Sequence, residues 1–142
     1  MLSDETIRSQ IKYNLDKTDL GIGKKYEGKV RDNYLLGDKR IIITTDRISA
    51  FDRVLCTLPF KGQVLNQTSA FWFEKTKNIV KNHIIEVPDP NVTIARECKL
   101  IPVEMVVRGY ITGVTTTSAW YNYERGVRNF CGNILPEGMV KN

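Results

Sequence analysis

The feature that most narrows the fold is the dipeptide Gly37 and Asp38, set between two strand-like runs, "KYEGKVRDNYLL" and "RIIITTDR". Glycine adopts a positive φ without steric cost, and a Gly-Asp pair between apolar runs is a hairpin signal. The two runs are therefore expected to lie antiparallel, and the segments around them can cover their sheet. Residues 5–16 place Ile7, Ile11 and Leu15 on one face of an amphipathic helix, with Ser3 or Asp4 as N-cap. After the break "PFKG", the stretch "QVLNQTSAFWFEKTKNIVKN" reads as a second helix whose apolar residues are Val64, Leu65, Phe71, Trp72, Ile79 and Val80. "HIIEVP" and "VTIAREC" are short strands around the turn "DPN", and "PVEMVVRGYI" is a further strand. "TTTSAWYNYERG" reads as a helix stopped by Gly126, and the tail "NILPEGMVKN" is turn-rich and closes no element. This order predicts an α+β fold, a mainly antiparallel sheet with flanking helices.

Bulk properties limit the function classes. The chain has 142 residues, the usual size of one domain, and an ordinary globular mix of 42% hydrophobic and 26% charged residues. It has no long apolar run and no signal-peptide pattern, so the expectation is a soluble, cytoplasmic protein with no membrane partner. Without secretion, the glycosylation-like triplets at Asn66 and Asn91 carry no meaning. Cys56, Cys98 and Cys131 are widely spaced and odd in number, no CxxC occurs, and His83 is the only histidine. That argues against a zinc site and a disulfide framework, and the thiols read as small core residues. The net charge of +5 favours an anionic partner. Its basic residues are scattered singly, which suits small phosphates better than a nucleic-acid stripe. Tyr26, Tyr34 and Trp120 sit in apolar periodic runs and read as core rather than as base-stacking platforms.

Three clusters carry chemistry, each with two readings. If "EGKVRDNY" is extended, Lys29 and Arg31 share one face, Val30 and Asp32 the other, and Gly28 allows close approach. That is either a phosphate cradle or a solvated sheet edge, and it is no Walker loop. "TTDRISAFD" delivers Asp46, Arg47, Ser49 and Asp52 to one rim of the sheet, or is a helical turn capped by Asp46 or Ser49. In "PVEMVVRGYITG", alternation puts Glu104 and Arg108 on one face, where they need a partner or a ligand. The "TTTS" hydroxyls that follow are an anion site or an ordinary cap.

Taken in order, "YEGKVRDNY", "TTDRISAFD", "KGQVLNQTSAFWFEKT", "NHIIEVPDPN", "PVEMVVRGYITG" and "TSAWYNYERGV" resemble the successive signature blocks of the SAICAR synthase family of purine biosynthesis. The resemblance covers the chain from Tyr26 onward. It implies a ligase that uses ATP and Mg2+ to join the carboxylate of a phosphoribosyl aminoimidazole (CAIR) to the amine of L-aspartate, through an acyl phosphate. It implies small-molecule partners, no nucleic acid and a possible homo-oligomer. By the same resemblance Gly28, Lys29, Val30 and Arg31 lie over the ATP phosphates, with Lys29 and Arg31 as the catalytic cations. Lys99, Glu104 and Met105 run past adenine and ribose. Asp46, Arg47 and Ser49 line the CAIR and aspartate end. Arg108 and Ser118 hold the CAIR phosphate, although "TGVTTTSAW" is longer than many relatives' version and leaves residues 115–117 as alternatives to Ser118. Residues 1–142 are thus expected to be the N-terminal, ATP-covering lobe with the start of a second lobe. The family's acidic metal ligands and a further substrate arginine fall beyond Asn142, and no metal ligand is expected in this chain.

Overall fold

The Gly-Asp hairpin forms as its residues predict. In a computed structural model, which describes residues 3–103 and 109–141, β2 (Arg31–Leu36) and β3 (Lys39–Thr44) pair antiparallel with Leu36 opposite Lys39. Gly37 takes the turn with φ of +60°. The first run is not one strand, however. β1 (Lys24–Glu27) folds back on β2 with Glu27 opposite Asp32, so residues 28–30 form a tight turn. Lys29 therefore sits at a hairpin tip, not on a strand face beside Arg31. β7 (Val92–Arg96) adds to β3, and β6 (Ile84–Asp89) to β7. The result is a five-stranded, wholly antiparallel sheet in the order β1-β2-β3-β7-β6.

The flanking helices differ from expectation in length and cover. α1 (Asp4–Gln10) is capped by Ser3, whose hydroxyl accepts from the Thr6 N–H at 3.2 Å, and it ends in a single 3₁₀ turn, Ile11–Tyr13. Leu15 lies outside it, because the sheet captures the chain there. The Leu15 N–H donates to Asp46 Oδ2 at 2.9 Å and the Thr18 N–H to Asp32 Oδ2 at 2.7 Å. α2 (Lys61–Thr76) is a helix as predicted, but its buried residues are Gly62 and Asn66. Val64, Leu65, Phe71 and Trp72 are exposed, as are Ile79 and Val80 beyond its end.

The second charged cluster is neither a strand end nor a helical turn. It opens a separate hairpin, β4 (Arg47–Ala50) with β5 (Arg53–Thr57), whose tip residues Phe51 and Asp52 have φ of +49° and +63°. The interior of the described chain is largely polar: Asp32, Thr44, Thr45, Asp46, Arg47, Asn66 and Thr93 are buried around Tyr34, Ile43 and Ala95. Tyr34 is a core residue as expected, whereas Tyr26 is exposed. All three cysteines are free and exposed, so they are not core thiols.

The chain divides into two compact units, Met1–Leu100 and Ile101–Asn142. In the second, α3 (Ala119–Glu124) follows Ser118 and gives way to Gly126 at φ of +89°. The tail does close an element: β8 (Asn129–Phe130) pairs with β9 (Asn133–Ile134). Tyr123 anchors this unit, donating its hydroxyl to the Pro136 carbonyl at 3.0 Å beneath the Arg128 guanidinium, 4.0 Å from the ring. Half of the strand expected over 102–111, residues 104–108, lies outside the described residues, and the described remainder is not strand.

Gly62 lets α2 approach the sheet. A Cβ there would stand 2.3 Å from the Thr44 carbonyl oxygen and 2.4 Å from Asn91 Nδ2. The Gly62→Ala protein is expected to lose about 1–3 kcal/mol, the usual cost of overpacking. Urea unfolding followed by circular dichroism measures it; an unchanged midpoint would show that the contact relaxes freely.

Candidate functional site

The turn of residues 28–31 is tied down from one side. Gly28 N–H donates to the Arg31 carbonyl at 2.8 Å, closing the turn. The guanidinium of Arg47 donates through Nη2 to the Gly28 carbonyl at 3.0 Å and through Nε to the Lys29 carbonyl at 3.0 Å. Thr45 donates both its N–H (3.0 Å) and its hydroxyl (2.9 Å) to the Val30 carbonyl. The remaining Arg47 donors go to the Asp16 carbonyl and, at 2.8 Å, to Asp32 Oδ1. Arg47 is 2% exposed and Asp32 0%.

Asp32 is saturated from its other side. Its Oδ2 accepts from the Thr18 N–H and, at 2.9 Å, from the Thr18 hydroxyl, with the Lys25 ammonium 3.8 Å away. Burial alone raises the carboxyl's pKa; the hydrogen bonds from Arg47 and Thr18 outweigh it, and the group is held below its ordinary value.

Beside this turn lies a cavity of about 740 Å³, within the size range of ligand pockets. The turn forms one wall, with Gly28, Lys29, Val30 and Arg31 all lining it. Register puts Tyr26, Asn33, Ile42 and Thr93 opposite one another across β1, β2, β3 and β7, and this row is the floor. Leu65, Asn66, Ser69 and Phe73 of α2 form the facing wall. The charged lining residues are Lys29, Arg31 and Arg40, and no Asp or Glu lines the cavity among the described residues. Lys29 pairs with Asp52 at 2.5 Å, and Arg40 with Glu97 in a bidentate pair at 2.6 and 2.8 Å. At the start of α2, burial first and the Arg31 charge second push the Lys61 ammonium below its ordinary pKa. The cavity thus presents three cations, two of them offset by the carboxylates of Asp52 and Glu97, with polar hydroxyl and amide groups at its base.

The structure brings some predicted residues together and separates others. Ser49 lines the same cavity as the turn. Asp46 does not face a ligand space: Oδ1 accepts from the Gly62 N–H at 2.8 Å and Oδ2 from Leu15, so its carboxylate fastens α2 and the N-terminal segment. Arg47 likewise spends its donors on protein acceptors. Lys99 is exposed and lies past β7, outside the cavity lining. Ser118 donates its hydroxyl to the Thr115 carbonyl at 2.7 Å, and residues 115–117 precede the short α3 rather than forming its first turn. Glu104, Met105 and Arg108 lie outside the described residues. Sequence reasoning missed Arg40, Asn66, Ser69 and His83, which reach the cavity from β3, α2 and the residue just before β6. Strand alternation with Ile42 could have found Arg40; the other three depend on how α2 and the segment before β6 pack.

Among the described residues no group of three or more His, Cys, Asp or Glu side chains could hold a metal ion, and no helix is long and apolar enough to cross a membrane.

Residues 24–141 match the sequence profile of the SAICAR synthetase family. The chain is 61% identical over 128 residues to the phosphoribosylaminoimidazole-succinocarboxamide synthase of Legionella pneumophila (strain Lens), covering 90% of this chain and 41% of the relative. It is 58% identical over 129 residues to the chloroplastic enzyme of that name from Vigna aconitifolia, covering 91% and 38%. Among solved structures it resembles the SAICAR-synthase from Saccharomyces cerevisiae complexed with SAICAR, with a TM-score of 0.75, 33% identity and coverage of 89% of this chain and 50% of that one. A SAICAR synthetase (Type-2) in complex with ADP gives a TM-score of 0.59 at 27% identity, covering 80% and 47%. The chain therefore spans about two-fifths of the length of these curated relatives.

Asp32→Asn is expected to cost about 3–5 kcal/mol at neutral pH, because it leaves the buried Arg47 charge uncompensated. A carboxyl whose pKa is depressed by folding stabilises fully above its unfolded value of ~3.9, and that contribution is lost as pH falls through the lower folded value. The gap between wild type and variant in urea unfolding should therefore close in acid. A gap that stays constant down to pH 2 would show that folding does not depress the Asp32 pKa.

Proposed function

This chain belongs to the SAICAR synthetase family, and from that membership we propose that it supplies the ATP-covering lobe of a ligase joining the CAIR carboxylate to the amine of L-aspartate. The observation that carries this reading is the cavity walled by residues 28–31, whose charged lining residues among those described are Lys29, Arg31 and Arg40, groups that suit a polyphosphate. Relatives whose structures hold SAICAR or ADP support the same reading.

A carboxylate is a poor electrophile, so the reaction proceeds through an acyl phosphate. The γ-phosphoryl group of ATP passes to a CAIR carboxylate oxygen and ADP leaves. The aspartate amine then forms the C–N bond, the acyl C–O bond breaks, phosphate departs, and the amine loses a proton. The work of this chain is positioning and charge stabilisation. Lys29 and Arg31 hold the phosphates, with Lys29 exchanging its Asp52 partner for the nucleotide. Ser49 faces the reacting end from the same cavity. Magnesium finds no ligand set among the described residues, so no step is assigned to it in this chain. The unit Met1–Leu100 is the ATP-covering lobe, and the unit from Ile101 begins the second. Lys99, Glu104 and Met105 serve the adenine and ribose, and Arg108 with Ser118 the CAIR phosphate.

The reading is tested with the full-length protein carrying this chain, supplied with CAIR, aspartate and magnesium-ATP. ADP release must require both CAIR and aspartate; release that ignores either one rules the reaction out. Arg31→Gln removes a charge-assisted contact of about 1.5–3 kcal/mol and should raise the KM for ATP roughly 10- to 150-fold. Arg108→Ala should raise the KM for CAIR by a similar factor while changing that for ATP little. The reverse pattern in either variant would exchange the two assignments.

A further inference from the structure

We infer that Arg47, with Thr45, is a positioning residue for the nucleotide-binding turn; this rests on the ATP reading above and replaces the substrate contact expected for Arg47. Three consecutive carbonyls, those of Gly28, Lys29 and Val30, are taken by these two side chains and the Thr45 N–H. A carbonyl oxygen carries negative partial charge, and a turn presenting several of them to a polyphosphate would repel it. Drawing them toward Arg47 and Thr45 reserves the other side of the turn for its cations.

The geometry calls for arginine. One planar guanidinium reaches the Gly28, Lys29 and Asp16 carbonyls and the Asp32 carboxylate together, which the three donors of a lysine ammonium on its flexible stem cannot copy. At 2% exposure Arg47 does not present itself to a ligand, and Asp32 neutralises its charge at 2.8 Å. Its influence on the nucleotide therefore passes through the turn. Thr45 follows Thr44, a cavity-lining residue of β3, so the clasp is built directly onto the sheet that floors the site.

The test is steady-state kinetics on Arg47→Lys in the full-length protein, with ATP, CAIR and aspartate each varied, alongside thermal melting and limited trypsin digestion. A loosened turn should raise the KM for ATP about 10-fold while leaving kcat at saturation and the other two KM values within about twofold. Cleavage after Lys29 should quicken with no matching gain at other lysines. Thr45→Val should act in the same direction, about threefold, and it decides the matter if Arg47→Lys does not fold. A raised KM for CAIR or aspartate with ATP unchanged would make Arg47 a substrate contact and overturn the inference. So would a melting point and kcat that fall together with no selective change in KM for ATP, or no change at all. If the wild type fails to join CAIR to aspartate, the proposed function falls; the trypsin pattern then judges the inference alone, and unchanged cleavage after Lys29 overturns it.

Discussion

The buried pair of Asp32 and Arg47 is the constraint on which the rest of the first unit depends. An ion pair inside a protein is often no better than well-packed apolar groups, because both charges lose their water. Here the pair is not isolated. Asp32 fixes the N-terminal segment through Thr18, and Arg47 fixes the hairpin turn through two carbonyls and the N-terminal segment again through Asp16. Four stretches of chain that share no secondary-structure element are thereby held in one register. The pair specifies an arrangement that apolar side chains, which have no directional preference, could not specify.

Asp46 has the matching role just past the end of β3. It ties Leu15 and Gly62, so that the N-terminal segment and α2 meet the same short run of residues between β3 and β4. Neither the Asp32 nor the Asp46 carboxylate lines the cavity. Although the chain has 16 acidic residues, no Asp or Glu lines the cavity among the described residues. Asp32 and Asp46 are spent on backbone N–H groups and one buried arginine, whereas Asp52 and Glu97 pair with Lys29 and Arg40 at the cavity.

Legibility in the sequence followed the range of the interactions. Gly37 and Asp38 act on their immediate neighbours, and the hairpin, its pairing and the two strands around "DPN" were readable. The break at residues 28–30 was not, because apolar and charged residues alternate through it as they do in an unbroken strand. The hairpin of β4 and β5 was hidden for a related reason. Its tip is built from Phe51 and Asp52 in the left-handed region, where the usual signal is glycine or asparagine. The family blocks drew attention to residues 28–31 and Ser49, which line one cavity, but not to the bonds that each neighbour makes. Arg47 and Asp32 are 15 residues apart, and nothing local says that one will neutralise the other. Arg40, Asn66 and His83 converge on the cavity only after three elements have packed.

The close approach of α2 to β3 also has a consequence for how this sequence can drift. Every amino acid one nucleotide away from a glycine codon carries a Cβ, and at position 62 that atom would overlap a backbone oxygen. The site therefore has no neutral neighbour in sequence space, although it bears no functional group. A few residues along the same helix, Val64 and Trp72 face solvent and contribute nothing comparable to the fold of this unit. One helix thus joins a position that leaves no room for a Cβ to side chains that this unit's fold leaves open to change.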